Sequence, residues 1–126
     1  MTTDASQGQS FSVERHGEVA VIIPSPEVES MHDSLMQQAA EMVLAPLKDD
    51  PPSGLIIDLS QVKYFGSVFI SFLLKCHMLA KRQGSEIVLA GASERCRELL
   101  SVTDLDKLWA LYDTQKQALD VLGSSD

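Results

Sequence analysis

Apolar residues come in short runs separated by polar breaks, and the period of each run predicts its element. Phe11 and Val13 alternate with Ser12 and Glu14, the two-residue period of a half-buried edge strand. Arg15-His16-Gly17-Glu18 reads as a turn. Val19 to Ile23 is uncharged and mostly β-branched, which predicts a more buried strand hairpinned to the first. Pro24-Ser25-Pro26 ends it, because proline cannot supply a ladder donor. Ser30, with Asp33 as the third member of a capping box, predicts a helix start. Met31, Leu35, Ala39, Met42 and Val43 follow at helical spacing, Pro46 disturbs the end, and the stretch Asp49 to Gly54 stops it. Leu55 to Leu59 is a second buried strand. A second helix runs from Ser67, as its cap, to about Arg82, with Phe69, Phe72, Leu73, Cys76 and Ala80 inward, Lys75, His77, Lys81 and Arg82 outward, and Gly84 closing it. Glu86 to Ala90 is a strand, Ser93 caps a short helix to about Ser101, Leu108 to Tyr112 is a last short strand, and Thr114 caps a closing helix to about Leu122.

Strand and helix alternate from Val19 onward, so each strand–helix–strand unit implies a right-handed crossover and a parallel neighbour. The hairpin adds one antiparallel strand. The expected fold is α/β, a mixed sheet of four to five strands with helices packed mainly on one face. One domain spans residues 10–122, between loose polar tails at 1–9 and 123–126.

Composition narrows the function. With 44% hydrophobic and 22% charged residues the chain is an ordinary globular one, which excludes disorder as its ground state. A net charge of -8 disfavours nucleic acid and anionic membrane surfaces as partners. No apolar run approaches the roughly 20 residues of a membrane span, and residues 1–8 lack a basic-then-apolar leader. The sequence reads as cytoplasmic. Cys76 and Cys96 both fall in helices beside apolar residues, as small core side chains.

Catalytic chemistry finds no foothold. Neither G-x-G-x-x-G nor G-x-x-x-x-G-K follows a strand. His16, His32 and His77 lack a second ligand at metal spacing and read as solvated. Gly66-Ser67 lies at a strand–helix junction without the flanks of a nucleophile elbow. Asp49, Asp50, Asp104 and Asp106 read as solvated turns. No catalytic residue, metal ligand or cofactor is expected. What remains is Gly54 to Ser60 leading through Phe65 and Gly66 to Ser67: a strand, a short connection, and a serine opening an apolar helix at the rim of a sheet. The positive end of the helix dipole can receive a phosphate or a partner there.

Three segments, in order, resemble the STAS domain family of bacterial anti-sigma-factor antagonists. Leu55 to Val62 followed by Tyr64-Phe65-Gly66-Ser67 is similar to its strand, loop and "D-S-S-G-L" segment. Gly84 to Ser93 resembles its "G-G-x-hydrophobic-hydrophobic" strand and following loop. Arg97 to Leu108 resembles its "V-x-x-x-L-x-x-x-G-L" helix and turn. The likeness covers roughly residues 11–122 and implies a STAS-like sheet. It also implies an anti-sigma factor or kinase-like protein as partner, leaving a homo-oligomer open, and partner switching by phosphorylation at Ser67, which matches the family's serine. A phosphoserine brings about −1.5 to −2 charges, which a helix N-terminus accepts and a docked acidic or apolar surface does not.

The chain departs from the family at Gly66 for the aspartate, Val68 for the second serine and Phe69 for the glycine. Pro24 to Val28 replaces the "G-E-L-D" segment. The expected partner-binding residues are Ser25, Glu27, Lys63, Tyr64, Gly66, Ser67, Val68, Phe69 and Ile70, with at least one of the last three pointing away from the core. Two other readings keep the fold: a scaffold in a signalling assembly without the switch, and a small-ligand sensor with a pocket near Pro24–Pro26 and Ser67.

Overall fold

A computed structural model describes residues 10–123. The tails expected at 1–9 and 124–126 lie outside the described residues, and Gly123, expected in the tail, is the last residue of a helix. The elements are β1 (Phe11–His16), β2 (Val19–Pro24), a 3-10 turn (Pro26–Ser30), α1 (Asp33–Asp49), β3 (Gly54–Asp58) and α2 (Ser67–Gln83). Then follow β4 (Glu86–Ala90), α3 (Glu94–Val102), a 3-10 turn (Leu105–Lys107), β5 (Leu111–Tyr112) and α4 (Gln115–Gly123).

The strands form one sheet in the order β1-β2-β3-β4-β5. β1 pairs antiparallel with β2 across a two-residue turn at Gly17-Glu18, and the remaining pairs are parallel. The C-terminal ends of β2, β3, β4 and β5 therefore lie along one edge.

The inner strands are apolar without alternation because both sheet faces are covered. Ala20, Ile22, Leu55, Ile57 and Leu89 face the larger core, built with α1, α2 and α3. Val19, Val21, Ile56, Val88 and Ala90 face a smaller one, closed by Ala118, Leu119 and Leu122 of α4. Helices thus pack mainly on one face, as expected, with α4 alone behind. All four phenylalanines of the chain line up in the larger core. Phe11 meets Phe72 at 4.7 Å between ring centroids, Phe72 meets Phe69 at 5.6 Å, and Phe69 meets Phe65 at 5.4 Å.

α1 differs from its sequence reading in start and face. Ser30 does not cap it. Ser25 instead caps the preceding 3-10 turn, with Pro26 in its first positions, and Val28 is buried there. The helix starts after His32, whose side chain makes no cap bond. Its buried face is Met36, Ala40, Val43, Leu44 and Leu47, whereas Leu35 and Met42 are 50% and 61% exposed. Of the expected inward positions Val43 is buried and Met31 and Ala39 are half-buried against the core, so the inward face is turned away from Leu35 and Met42. Pro46 does not end it: the helix continues to Asp49, since an exposed proline in the last turn removes only one intrahelical donor.

β5 is two residues long, not five. Leu108 is exposed, and Trp109 is buried with its indole N–H donated to His77 Nδ1 at 3.1 Å. His77 is accordingly half-buried and engaged, not solvated. Asp104 has a positive φ of 62°, a conformation that aspartate is among the few side chains to tolerate.

Asp58 is the buried acid at the end of β3. Its Oδ1 accepts from the Ser60 N–H at 2.9 Å and its Oδ2 from Gln115 Nε2 at 2.7 Å. It thereby fastens the first turn of α4 to the sheet edge. Gly91, at φ 73°, leaves the room this needs: a Cβ there would stand 3.0 Å from Asp58 Oδ1. Asp58→Ala is expected to destabilise the fold by about 1.5–3 kcal/mol, the range for hydrogen bonds to a charged group. A urea titration followed by the fluorescence of Trp109, the single tryptophan, checks this; an unchanged midpoint would refute it.

Candidate functional site

The 59–66 loop, between β3 and α2, is held from both sides. Towards β2, the Lys63 N–H donates to Glu29 Oε2 at 2.8 Å. Towards α3, Ser93 Oγ donates to the Lys63 carbonyl at 3.4 Å and Cys96 Sγ to the Val62 carbonyl at 3.3 Å. The Arg95 guanidinium lies 5.2 Å from the centroid of the Tyr64 ring, a cation–π contact at the surface. Beneath, Val62 and Phe65 are buried in the larger core.

This loop delivers Ser67 to the first helical position of α2, not to its cap. Gly66 is the cap residue, in extended conformation and with no side chain to offer, and the first turn carries no acid. The first-turn N–H groups therefore lack a side-chain acceptor from the cap. Ser67 is exposed, and its hydroxyl has no hydrogen-bond partner among the described residues. Ser71, one turn on, donates its hydroxyl to the Val68 carbonyl at 2.6 Å and is occupied.

The other expected partner residues divide. Lys63, Tyr64 and Gly66 are exposed beside Ser67, and Val68 and Ile70 are half-buried against the core. Phe69 is corrected: at 1% exposure it is core, and a partner cannot reach it. Its spacing with Phe72, Leu73 and Cys76 sets the inward face of the helix. Ser25 and Glu27 belong to the 3-10 turn: Ser25 Oγ accepts from the Glu27 N–H at 3.2 Å, and Glu27 Oε1 accepts from Ser10 Oγ at 3.2 Å. The bond from this turn to the Ser67 loop is made by Glu29. Neither Glu29 nor Arg95 carries a mark in the local sequence, since both act across long separations.

Fold and site together define a small α/β domain that presents a clamped loop and a helix N-terminus along one sheet edge. A family model described as "Mlab, STAS domain" matches residues 11–113, and the chain belongs to the STAS domain family. An anti-sigma-factor antagonist (STAS) domain protein from Planctomyces limnophilus is 29% identical, with a TM-score of 0.78 over 91% of this chain and 99% of that one. An anti-sigma factor antagonist from Mycobacterium paratuberculosis is 30% identical, with a TM-score of 0.69 over 90% and 93%. A putative anti-sigma factor antagonist from Thermotoga maritima, 18% identical, shares the fold with a TM-score of 0.77 over 90% and 94%.

The two thiols are buried structural groups, Cys96 beneath the loop and Cys76 farther along α2. Burial pushes the Cys76 thiol well above the ordinary thiol range, outweighing a backbone hydrogen bond that favours its thiolate. A folded value above the unfolded one means that this contribution to stability is complete below the unfolded thiol's pKa of about 8.5 and declines as pH rises past it. Neither cysteine should react with a water-soluble disulfide reagent at neutral pH until denaturant is added. Rapid labelling of the native protein would contradict the burial of both.

Proposed function

We propose that this protein is a STAS-type regulatory binding module, an anti-sigma factor antagonist of a partner-switching pathway. It docks a kinase-like anti-sigma factor on the loop edge formed by Lys63, Tyr64, Gly66 and Ser67, flanked by Val68, Ile70 and the turn bearing Ser25 and Glu27. The kinase transfers the γ-phosphoryl group of ATP to Ser67 Oγ, and the modified domain releases its partner. It works by binding rather than by catalysis, in the cytoplasm where sigma factors and ATP are found.

The observation that carries this reading is the free Ser67 hydroxyl on the first turn of α2, beside an occupied Ser71. A phosphate on Ser67 meets first-turn N–H groups and the positive dipole end, together worth about 0.3–1 kcal/mol at an exposed site. Gly66 removes an acid that would stand beside that phosphate, so the departure from the family pattern eases accommodation of the product. The same new charge opposes a partner surface fitted to a neutral hydroxyl. The likeness to two antagonist domains at 29% and 30% identity supports the partner class.

Incubation with kinase-like anti-sigma factors from the same genome and ATP should add one phosphoryl group, placed on Ser67 by fragmentation and absent from Ser67→Ala. Unmodified Ser67→Ala should keep its affinity for that partner, while Ser67→Asp should lose at least about tenfold, 1.4 kcal/mol, by titration calorimetry. Unmodified protein with every such kinase, or equal binding of both variants, would remove the switch.

A further inference from the structure

α2 is set apart by its charge. In a chain with 18 acidic residues and a net charge of -8, Ser67 to Gln83 contains no Asp or Glu, and carries Lys75, Lys81 and Arg82. Its outward side also exposes Leu74 by 38% and Met78 by 56%. α1 runs beside it in the same direction, since both helices cross back over one sheet face, and Gln83 Nε2 donates to the Leu47 carbonyl at 3.0 Å where the two end. Between them is an open trough of about 570 Å³. Leu44, Leu74 and Met78 give it apolar walls, and Lys48, Lys75 and Arg82 line it as cations against one acid, Glu41.

We propose that this trough docks an acidic amphipathic helix of a partner protein. Its lining spans residues 40–48 of α1 and 71–82 of α2, about 12 and 17 Å at 1.5 Å per residue, which suits two to three turns of a guest helix. An apolar ridge at i, i+3, i+4 and i+7 enters between Leu44, Leu74 and Met78, with methionine adapting to the fit. Flanking Glu or Asp side chains meet Lys48, Lys75 and Arg82. A second copy is a poor occupant: a two-fold contact sets this face against itself, cation to cation. Lys75 and Arg82 follow Ser67 by about 12 and 22 Å along the helix axis, so the trough goes beyond the Ser67 docking edge and acts whether or not Ser67 is phosphorylated.

The test is an NMR titration of the ¹⁵N-labelled full chain with a synthetic amphipathic helical peptide bearing a Leu ridge flanked by Glu. Its control is the same peptide with Lys in place of Glu. Saturable amide shifts across residues 40–48 and 71–82 are expected with the Glu peptide and none with the Lys peptide. Lys75→Glu with Arg82→Glu should raise Kd at least tenfold, and Lys75→Gln with Arg82→Gln should weaken binding to a lesser degree; circular dichroism verifies that both fold. Ser67→Asp should leave Kd within twofold, so failure of the phosphorylation switch and failure of this site are read separately. The proposal is overturned by any of four results: no shifts at millimolar peptide, equal binding of the Lys peptide, shifts confined to the 59–67 loop, or a dimer in sedimentation that Leu74→Glu dissolves. Shifts at the trough with dodecyl phosphate but not with the Glu peptide would also overturn it, making the ligand a small anionic amphiphile.

Discussion

The placement of Ser67 depends on how Phe69 is seated. Phe69 lies between Phe65 and Phe72 in a column of rings that begins at Phe11 on the edge strand. Burying such a side chain contributes about 1.5–3 kcal/mol, enough to set the rotation of α2 about its own axis. Two residues earlier, at roughly 100° per residue, the chain points to the opposite side, which is where Ser67 stands exposed. One inward contact thus determines an outward group. The same rotation brings Leu74, Lys75 and Met78 to the outer side of the helix, so the exposure of Ser67 and the lining of the trough follow from a single packing arrangement.

Around that column the loop before Ser67 has little freedom. Its backbone is bonded to Glu29 on one flank and to Ser93 and Cys96 on the other, while Val62 and Phe65 anchor it below. A partner that recognises Lys63, Tyr64 and Ser67 meets a surface ordered in advance, and less ordering entropy opposes association. The fully buried strands carry the same consistency through the sheet. Each has side chains committed to both faces, and α4, tied by Gln115 to Asp58, covers the face the other helices leave open.

Much of this was legible in the sequence, for physical reasons that differ by element. The hairpin, β3, β4, α2, α3 and α4 follow from uncharged β-branched runs, helical spacing and local caps such as Ser93 and Thr114, all of which act within a few residues. α1 is harder: of the positions at helical spacing, Val43 is buried and Met31 and Ala39 pack partly against the core, whereas Leu35 and Met42 are exposed, and only tertiary packing decides how far round the helix the inward face extends. Ser67 sits one place inside the helix because Gly66 already adopts the extended cap conformation. His77 reads as solvated from its neighbours alone because its partner Trp109 lies 32 positions away. The burial of Phe69 depends on the rotation of its helix, which three consecutive apolar residues, Val68 to Ile70, leave open in the sequence.

The sheet ends in two blunt margins. β5 offers two residues on one side, and β1 ends on the other in Glu14, Arg15 and His16, all exposed and polar. Short or charged margins resist strand-to-strand annexation by neighbouring molecules. A chain so finished resists merging edge to edge with neighbouring molecules into a continuous ribbon, and leaves its helices and loops as the surfaces open to reversible contact.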